Sequence, residues 1–172
     1  MSDKIGLFYG STTCYTEMAA EKIQAALGEE LVDIFDIKET SLSKTQYYDV
    51  LIFGISTWDF GELQEDWEST WDDVSQLNLD GKTVALFGLG DQVGYADWYQ
   101  DALGMLHDEL ITTGCRFIGF CSTEGHEFEQ SKALTQDNEH FVGLALDDEN
   151  QFDLTDQRID NWVEQLLQQM AE

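Results

Sequence analysis

The sequence predicts an α/β fold with a doubly wound parallel sheet. Short, almost wholly apolar strands alternate along the chain with helices apolar on one stripe, and the most unusual loops all fall at the carboxyl ends of strands. Apolar runs without polar alternation suit strands covered on both faces, as in parallel sheets. Right-handed crossovers then bring the strand ends to one edge, where ligands sit.

The elements follow in order. Ile5-Gly6-Leu7-Phe8-Tyr9 is the first strand, and Gly10 leads into Ser11-Thr12-Thr13-Cys14-Tyr15-Thr16. Ala19, Ile23, Ala26 and Leu27 then lie at i, i+4, i+7 and i+8, one helical face stopped by Gly28. Leu31-Val32-Asp33-Ile34-Phe35 is a short strand, and Val50-Leu51-Ile52-Phe53-Gly54-Ile55 a buried one that ends in Ser56-Thr57-Trp58-Asp59-Phe60-Gly61. Leu63, Trp67, Trp71 and Val74 mark a second amphipathic helix. Thr83-Val84-Ala85-Leu86-Phe87 is the fourth strand, followed by Gly88-Leu89-Gly90-Asp91-Gln92-Val93-Gly94-Tyr95 and by a third helix with Tyr99, Leu103, Leu106 and Leu110 on one side.

Cys115 to Phe120 opens a fifth strand. The polar residues Ser122 to His140 interrupt it before Phe141-Val142-Gly143-Leu144-Ala145-Leu146, so they read as an insertion of about 20 residues splitting that strand. The last helix has Thr155 near its start and Ile159, Trp162, Val163, Leu166, Leu167 and Met170 at helical period. At 172 residues and 42% hydrophobic content, one domain spanning residues 1–172 is expected.

Composition excludes several function classes. With 35 acidic against 8 basic residues, a formal charge of −27, the chain opposes a phosphate backbone, so nucleic acid is not an expected partner. No stretch approaches the ~20 apolar residues of a membrane span, and the N-terminus lacks a basic region followed by an apolar one. Cys14, Cys115 and Cys121 show no zinc-type spacing, so no metal is expected and a cytoplasmic location fits best. The chain contains no Pro, which removes any Pro-rich linker.

Residues 11–16 carry four Ser and Thr hydroxyls at a helix start, where unpaired N–H groups and aligned peptide dipoles favour an anion. Such a run can also be an ordinary N-cap. Trp58 and Tyr95, each usable for core or rim packing, follow two successive long strands and are placed to flank a flat ring whose phosphate rests on residues 11–16. Together these features describe a flavin mononucleotide (FMN) site. None of the eight Lys and Arg residues lies between Lys4 and Lys22, Lys44 and Lys82, or Lys82 and Arg116, so every loop of this site is cationless.

Three motifs, Thr57-Trp58-Asp59-Phe60-Gly61-Glu62, Gly90-Asp91-Gln92-Val93-Gly94-Tyr95-Ala96-Asp97 and Gly143-Leu144-Ala145-Leu146-Asp147, together with the insertion, resemble the long-chain flavodoxins from Ile5 to the last helix. The resemblance implies sheet order 2-1-3-4-5 and bound FMN, used through its semiquinone/hydroquinone couple for low-potential one-electron transfer between a reductase and acceptor redox enzymes. It implies that Ser11, Thr12, Thr13, Cys14, Tyr15 and Thr16 hold the phosphate, with Ser56 and Thr57 on the ribityl and phosphate side. Trp58 and Tyr95 sandwich the ring, and the Asp59-Phe60 peptide turns on Gly61 to accept a hydrogen bond from flavin N5–H. Leu89, Gly90 and Asp91 meet the pyrimidine edge, and Trp98, Gln100 and Asp147 lie around the ring edge or ribityl chain. Where flavodoxins usually carry Gly-Asn, this chain has Cys14-Tyr15.

Acidic residues flanking the aromatics, Asp59, Glu62 and Asp91, repel a reduced anionic flavin. One like charge at ~10 Å costs roughly 1.7 kcal/mol at an effective dielectric of ~20, and ~1.4 kcal/mol corresponds to ~59 mV for one electron, so a few carboxylates lower the potential by ~200 mV. The acidic stretch Glu62 to Asp73 is expected to be helical and to meet a basic-surfaced reductase, with the carrier itself a monomer.

Three other functions fit parts of this pattern. A quinone-reductase-like FMN enzyme needs a substrate pocket over the ring, which Trp58 and Tyr95 would cover. A phosphoacceptor regulator needs acids at the end of the first strand, where Tyr9-Gly10-Ser11 stands. A flavin-free binding module is suggested by Cys14 and Tyr15.

Overall fold

The computed structural model describes residues 2–172. The elements in chain order are β1 (Ser2–Tyr9), α1 (Tyr15–Leu27), β2 (Val32–Asp36), β3 (Tyr48–Trp58), β4 (Glu62–Leu63), α2 (Glu65–Ser69), α3 (Trp71–Val74), β5 (Thr83–Leu89), α4 (Asp101–Leu110), β6 (Arg116–Ile118), β7 (Cys121–Ser122), β8 (His140–Phe141), β9 (Leu144–Leu146) and α5 (Phe152–Ala171). The main sheet runs β2-β1-β3-β5-β6, with β9 also on β5 and β4 on β3.

β6 pairs with the first half of β5 (Thr83↔Arg116) and β9 with the second (Phe87↔Leu144), both parallel. They are the two halves of the fifth strand, so the order is the expected 2-1-3-4-5 with the last position split. The rest of the apolar run is not strand continuation: Phe141 belongs to the small antiparallel pair β7-β8.

The break in the fifth strand is healed by α5. Trp162 Nε1 donates to Gly119 O at 2.7 Å, Gln169 Oε1 accepts from Gly119 N at 2.8 Å, and Gln165 Nε2 donates to Phe120 O at 2.8 Å. Backbone groups freed by the insertion are thereby satisfied, as burial demands. The buried stripe of α5 is Ile159, Trp162, Val163 and Leu166, while Leu167, expected on it, is 47% exposed.

Side chains alternate across the sheet into two cores. Leu51, Phe53 and Ile55 face Trp67, Val74, Leu103 and Leu106; Leu7, Ile52 and Phe87 face Ala19, Ile23, Trp162 and Leu166. Ala26, expected on the inner face of α1, is exposed.

Two helices depart from expectation. The acidic segment is not one helix: Leu63 pairs with Thr57 in the β3-β4 ladder, and α2 and α3 are separated at Thr70 (φ −113°, ψ 12°). Glu68 and Asp72 would be like charges one turn apart in a continuous helix, and the segment holds no cation to offset them. Tyr99 precedes α4 rather than lying on it. Its N–H donates to Gln130 O, and its ring packs 5.7 Å from Phe141 and 5.5 Å from Phe128, so the insertion buries it.

Candidate functional site

A cleft of about 260 Å³ opens at the carboxyl ends of β1, β3, β5 and β9. Thr13, Tyr15 and Thr16 form its floor at the start of α1, Ser56, Thr57, Trp58 and Asp59 one wall, and Leu89, Gly90, Asp91 and Tyr95 the other. Asp148 and Glu149, which the sequence reading did not include, complete the rim. The lining holds four carboxylates and no Lys, Arg or His.

The floor is suited to an anion. Cys14 sits at the N-cap in the left-handed region (φ 72°), and no side chain caps α1. Ser11 Oγ is buried without a hydrogen-bond partner, a rare state for a buried hydroxyl and one that a bound acceptor would relieve. Thr12 Oγ1 accepts from Gln64 Nε2 at 3.1 Å. A phosphate bound there would meet hydroxyls and helix-start N–H groups only, so these residues fit FMN without a cation. Among the described residues, no cluster of His, Cys, Asp or Glu is arranged to hold a metal ion, and no helix is long and apolar enough to cross a membrane.

The first wall is tied to its neighbours by both of its hydroxyls. Trp58 Nε1 donates to Ser56 Oγ at 2.9 Å, holding the indole back along its own strand. Thr57 Oγ1 accepts from Ala102 N at 3.0 Å at the start of α4, so its lone pairs serve that helix end even though the residue lines the cleft. Beyond Trp58 the chain turns through Asp59 (φ 45°) and Gly61 (φ 86°). A Cβ at Gly61 would lie 2.8 Å from Asp101 Oδ2, so glycine meets both the conformation and the space there. Phe60, at the tip, is 67% exposed and leans on Trp98 (4.9 Å between centroids) and Tyr95 (6.3 Å).

The second wall is held by a buried carboxylate. Asp147 Oδ2 accepts from Gln92 N (3.1 Å), Gln92 Nε2 (2.8 Å) and Asn150 Nδ2 (2.8 Å), while its Oδ1 accepts from Asn150 N (3.1 Å). Asp91 Oδ1 closes the turn before Tyr95, accepting from Val93 N, Gly94 N and Asn150 Nδ2. Gln92 Oε1 accepts from Glu127 N at 2.5 Å, which clips the insertion to this loop.

Burial raises the Asp148 carboxyl above its ordinary value, opposed by a bond from Thr155 and by nearby Lys22. In the insertion, burial holds the His126 imidazole down to about 4, so its ring is neutral, and its Nδ1 shares a hydrogen bond with Tyr99 OH at 2.8 Å.

The structure therefore separates the expected site residues by position. Thr13, Tyr15, Thr16, Ser56, Thr57, Trp58, Asp59, Leu89, Gly90, Asp91 and Tyr95 line the cleft. Ser11, Thr12 and Cys14 belong to its floor loop and Phe60 and Gly61 to the tip of the first wall, while Trp98, three residues after Tyr95, packs its ring against Phe60. Gln100 and Asp147, both fully buried, lie behind the second wall instead of on the cleft. Gln100 Nε2 donates to Leu146 O, packing the amide under Gly88, and Asp147 is occupied by four donors. Gln100 follows Tyr95 by five residues and Asp147 reaches that loop through Gln92, but both side chains are used up inside the protein.

Gln64 and Gln92 escaped the sequence reading because single amides in polar loops carry no periodic signal. Asp148 and Glu149 had a signal, since they continue the strand-end motif that stops at Asp147.

The wider comparisons agree with this architecture. The chain is 60% identical to Flavodoxin 2 of Escherichia coli over 168 residues, covering 98% of this chain and 97% of that one. It is 48% identical to a flavodoxin of Nostoc sp., with 96% of each covered. The crystal structure of Fusobacterium nucleatum flavodoxin bound to flavin mononucleotide superposes with a TM-score of 0.90 at 29% identity, over 96% of this chain and 98% of that one. The flavodoxin family model matches residues 7–162. A five-position parallel sheet with a split last strand, a helix-start floor and two aromatic walls thus coincides with near-full-length similarity, and the chain belongs to the flavodoxin family.

Proposed function

We propose that this chain binds FMN non-covalently in the cleft and carries electrons one at a time between a reductase and acceptor redox enzymes. One observation carries the reading: a cationless, uncapped helix start with an orphaned Ser11 hydroxyl lies beside two aromatic walls rimmed by carboxylates. In this reading residues 11–16 hold the phosphate and Trp58 and Tyr95 stack on the ring. The backbone of Leu89, Gly90 and Asp91 meets the polar ring edge. FMN, when bound, supplies a centre that takes up and releases single electrons.

The residues of the chain set the conditions for that centre. The aromatic walls exclude water from the ring faces, which strengthens local electrostatics. Asp59, Asp91, Asp148 and Glu149 then oppose added negative charge and lower the potential.

Partners are proposed to dock at the same mouth. Phe60, Val93 and Tyr95 are exposed there, beside the acidic α2 and α3, so a basic surface on a reductase would be steered in by charge and seated on apolar groups. The three unpaired cysteines suit a reducing, cytoplasmic setting.

The purified chain is tested by its visible spectrum, by fluorescence titration of the apoprotein with FMN, and by steady-state assay with NAD(P)H and quinone. One FMN per chain, strongly quenched fluorescence and no turnover without a partner are expected. A colourless protein that leaves FMN fluorescence unchanged would leave a flavin-free module, and sustained turnover by the chain alone would make it an enzyme.

A further inference from the structure

We propose that Gln64 is a positioning residue for the ligand's phosphate: it fixes Thr12 as a hydrogen-bond donor in a cradle that has no cation. The inference rests on the FMN reading above.

Gln64 is fully buried at the N-cap of α2, directly after the return strand from the Trp58 wall. Its Oε1 accepts from Asp66 N (3.1 Å) and Trp67 N (3.3 Å). Two backbone N–H groups can only donate, so they decide which end of the amide is oxygen. The NH₂ group must then face the other way, and it donates to Thr12 Oγ1 (3.1 Å) and Asp66 Oδ2 (2.9 Å).

This sets the polarity of Thr12. A hydroxyl that accepts from an amide keeps its own proton for another partner, and Thr12 is exposed on the floor loop. In a cradle with Lys or Arg such polarity would matter little. Here each neutral donor carries a larger share of the dianion's stabilisation. The packing leaves Gln64 little freedom, since a Cβ at Gly10 would collide with its Oε1, and Trp67 Nε1, just beyond it, donates to Gly54 O at 2.8 Å.

Gln64 acting through Thr12 predicts an effect on phosphate and none on the ring. The readout is the ratio of FMN to riboflavin affinity, measured by fluorescence titration of the apoprotein, because riboflavin lacks only the phosphate. Wild type should prefer FMN strongly. Gln64→Met should lower that ratio about five- to tenfold, the size of one ordinary lost hydrogen bond, with riboflavin affinity changed less than about twofold. Thr12→Ala should lower it similarly, and the double variant no further, since neither partner works without the other. Gln64→Glu keeps the oxygen that caps α2 but loses the donor. Relative to wild type at the same pH, it should lose FMN preference at pH 8 and regain it near pH 5, where a protonated carboxyl donates again.

A merely structural Gln64 would weaken FMN and riboflavin binding in proportion and leave the ratio unchanged. That result, or additive losses in the double variant, overturns the proposal. If Gln64→Met does not fold, the pH dependence of the Gln64→Glu ratio decides alone, and a pH-independent ratio overturns the proposal. A wild type with no preference for FMN over riboflavin would instead overturn the phosphate assignment on which it rests.

Discussion

The two aromatic walls of the cleft are built by opposite means. Trp58 ends a long strand and is followed by an exposed turn with two positive φ values, returned to the sheet by only two residue pairs. Tyr95 stands on a loop whose interior is a closed knot of hydrogen bonds centred on buried Asp147 and extended by Gln92 to the insertion. The first wall can change its backbone at little cost, and the second cannot. A carrier must adapt to a changed charge at one edge of its ligand without releasing it, and this division allows both.

The comparison breaks most visibly at Asp147. Asp147→Ala leaves the buried backbone N–H and side-chain amide of Gln92 without their acceptor and loosens the loop that holds the insertion. We expect a loss of about 3 kcal/mol in urea unfolding together with weaker FMN binding. Unchanged stability would mean that the second wall is held by something else.

Next come the walls themselves. Tyr95→Ala and Trp58→Ala should each weaken FMN binding by about 1–3 kcal/mol, as lost aromatic stacking does elsewhere, and restore part of the quenched fluorescence. Unchanged affinity in both variants would remove the two residues from the ring.

The insertion adds a pH dependence on the fixed side only. The folded His126 is held down to about 4 against an ordinary value near 6.5, so the unfolded chain binds the proton first as pH falls. Its contribution to stability is therefore complete above about pH 6.5 and is lost progressively down to about 4. Urea unfolding across that range should show a smaller decline in His126→Phe than in wild type. Equal slopes would mean that His126 does not hold the insertion.

The smallest effects belong to the floor. Cys14 adopts a left-handed conformation that glycine takes without strain, so Cys14→Gly should change stability by no more than about 1 kcal/mol, relief of strain being offset by a more flexible unfolded chain. Exposed Cys14 should be alkylated quickly in the apoprotein and slowly once FMN covers the loop. Burial pushes the Cys121 thiol up to about 11 and raises that of Cys115, so both should react slowly in either state. Equal Cys14 rates with and without FMN would separate its side chain from the phosphate.

What was legible in the sequence depended on whether a residue's partner lay in a repeating pattern. Strands wholly covered by helices announce themselves as apolar runs, and the Ile159, Trp162, Val163 and Leu166 stripe fixes the last helix by period alone. The hydroxyls of residues 11–16 and the aromatics at strand ends could be placed because a parallel sheet brings those ends together. Periodicity misled where apolar spacing had another cause. Leu63 fits a helical stripe with Trp67 but pairs with Thr57, and Tyr99 fits one with Leu103 but is buried by the insertion. Gln64, Gln92 and Asp147 act through hydrogen bonds across 35 to 55 positions of sequence, and no local pattern encodes such partners.

The cleft is proposed to bind a phosphorylated flavin without cations and to surround its ring with carboxylates. Spectroelectrochemical titration of the FMN-loaded protein at pH 7 tests this most directly. We expect two separated one-electron steps, the second lying below that of free FMN by on the order of 200 mV, the effect of a few carboxylates near 10 Å in a partly dry site. A second step at or above the potential of free FMN, or a single two-electron step, would contradict the account.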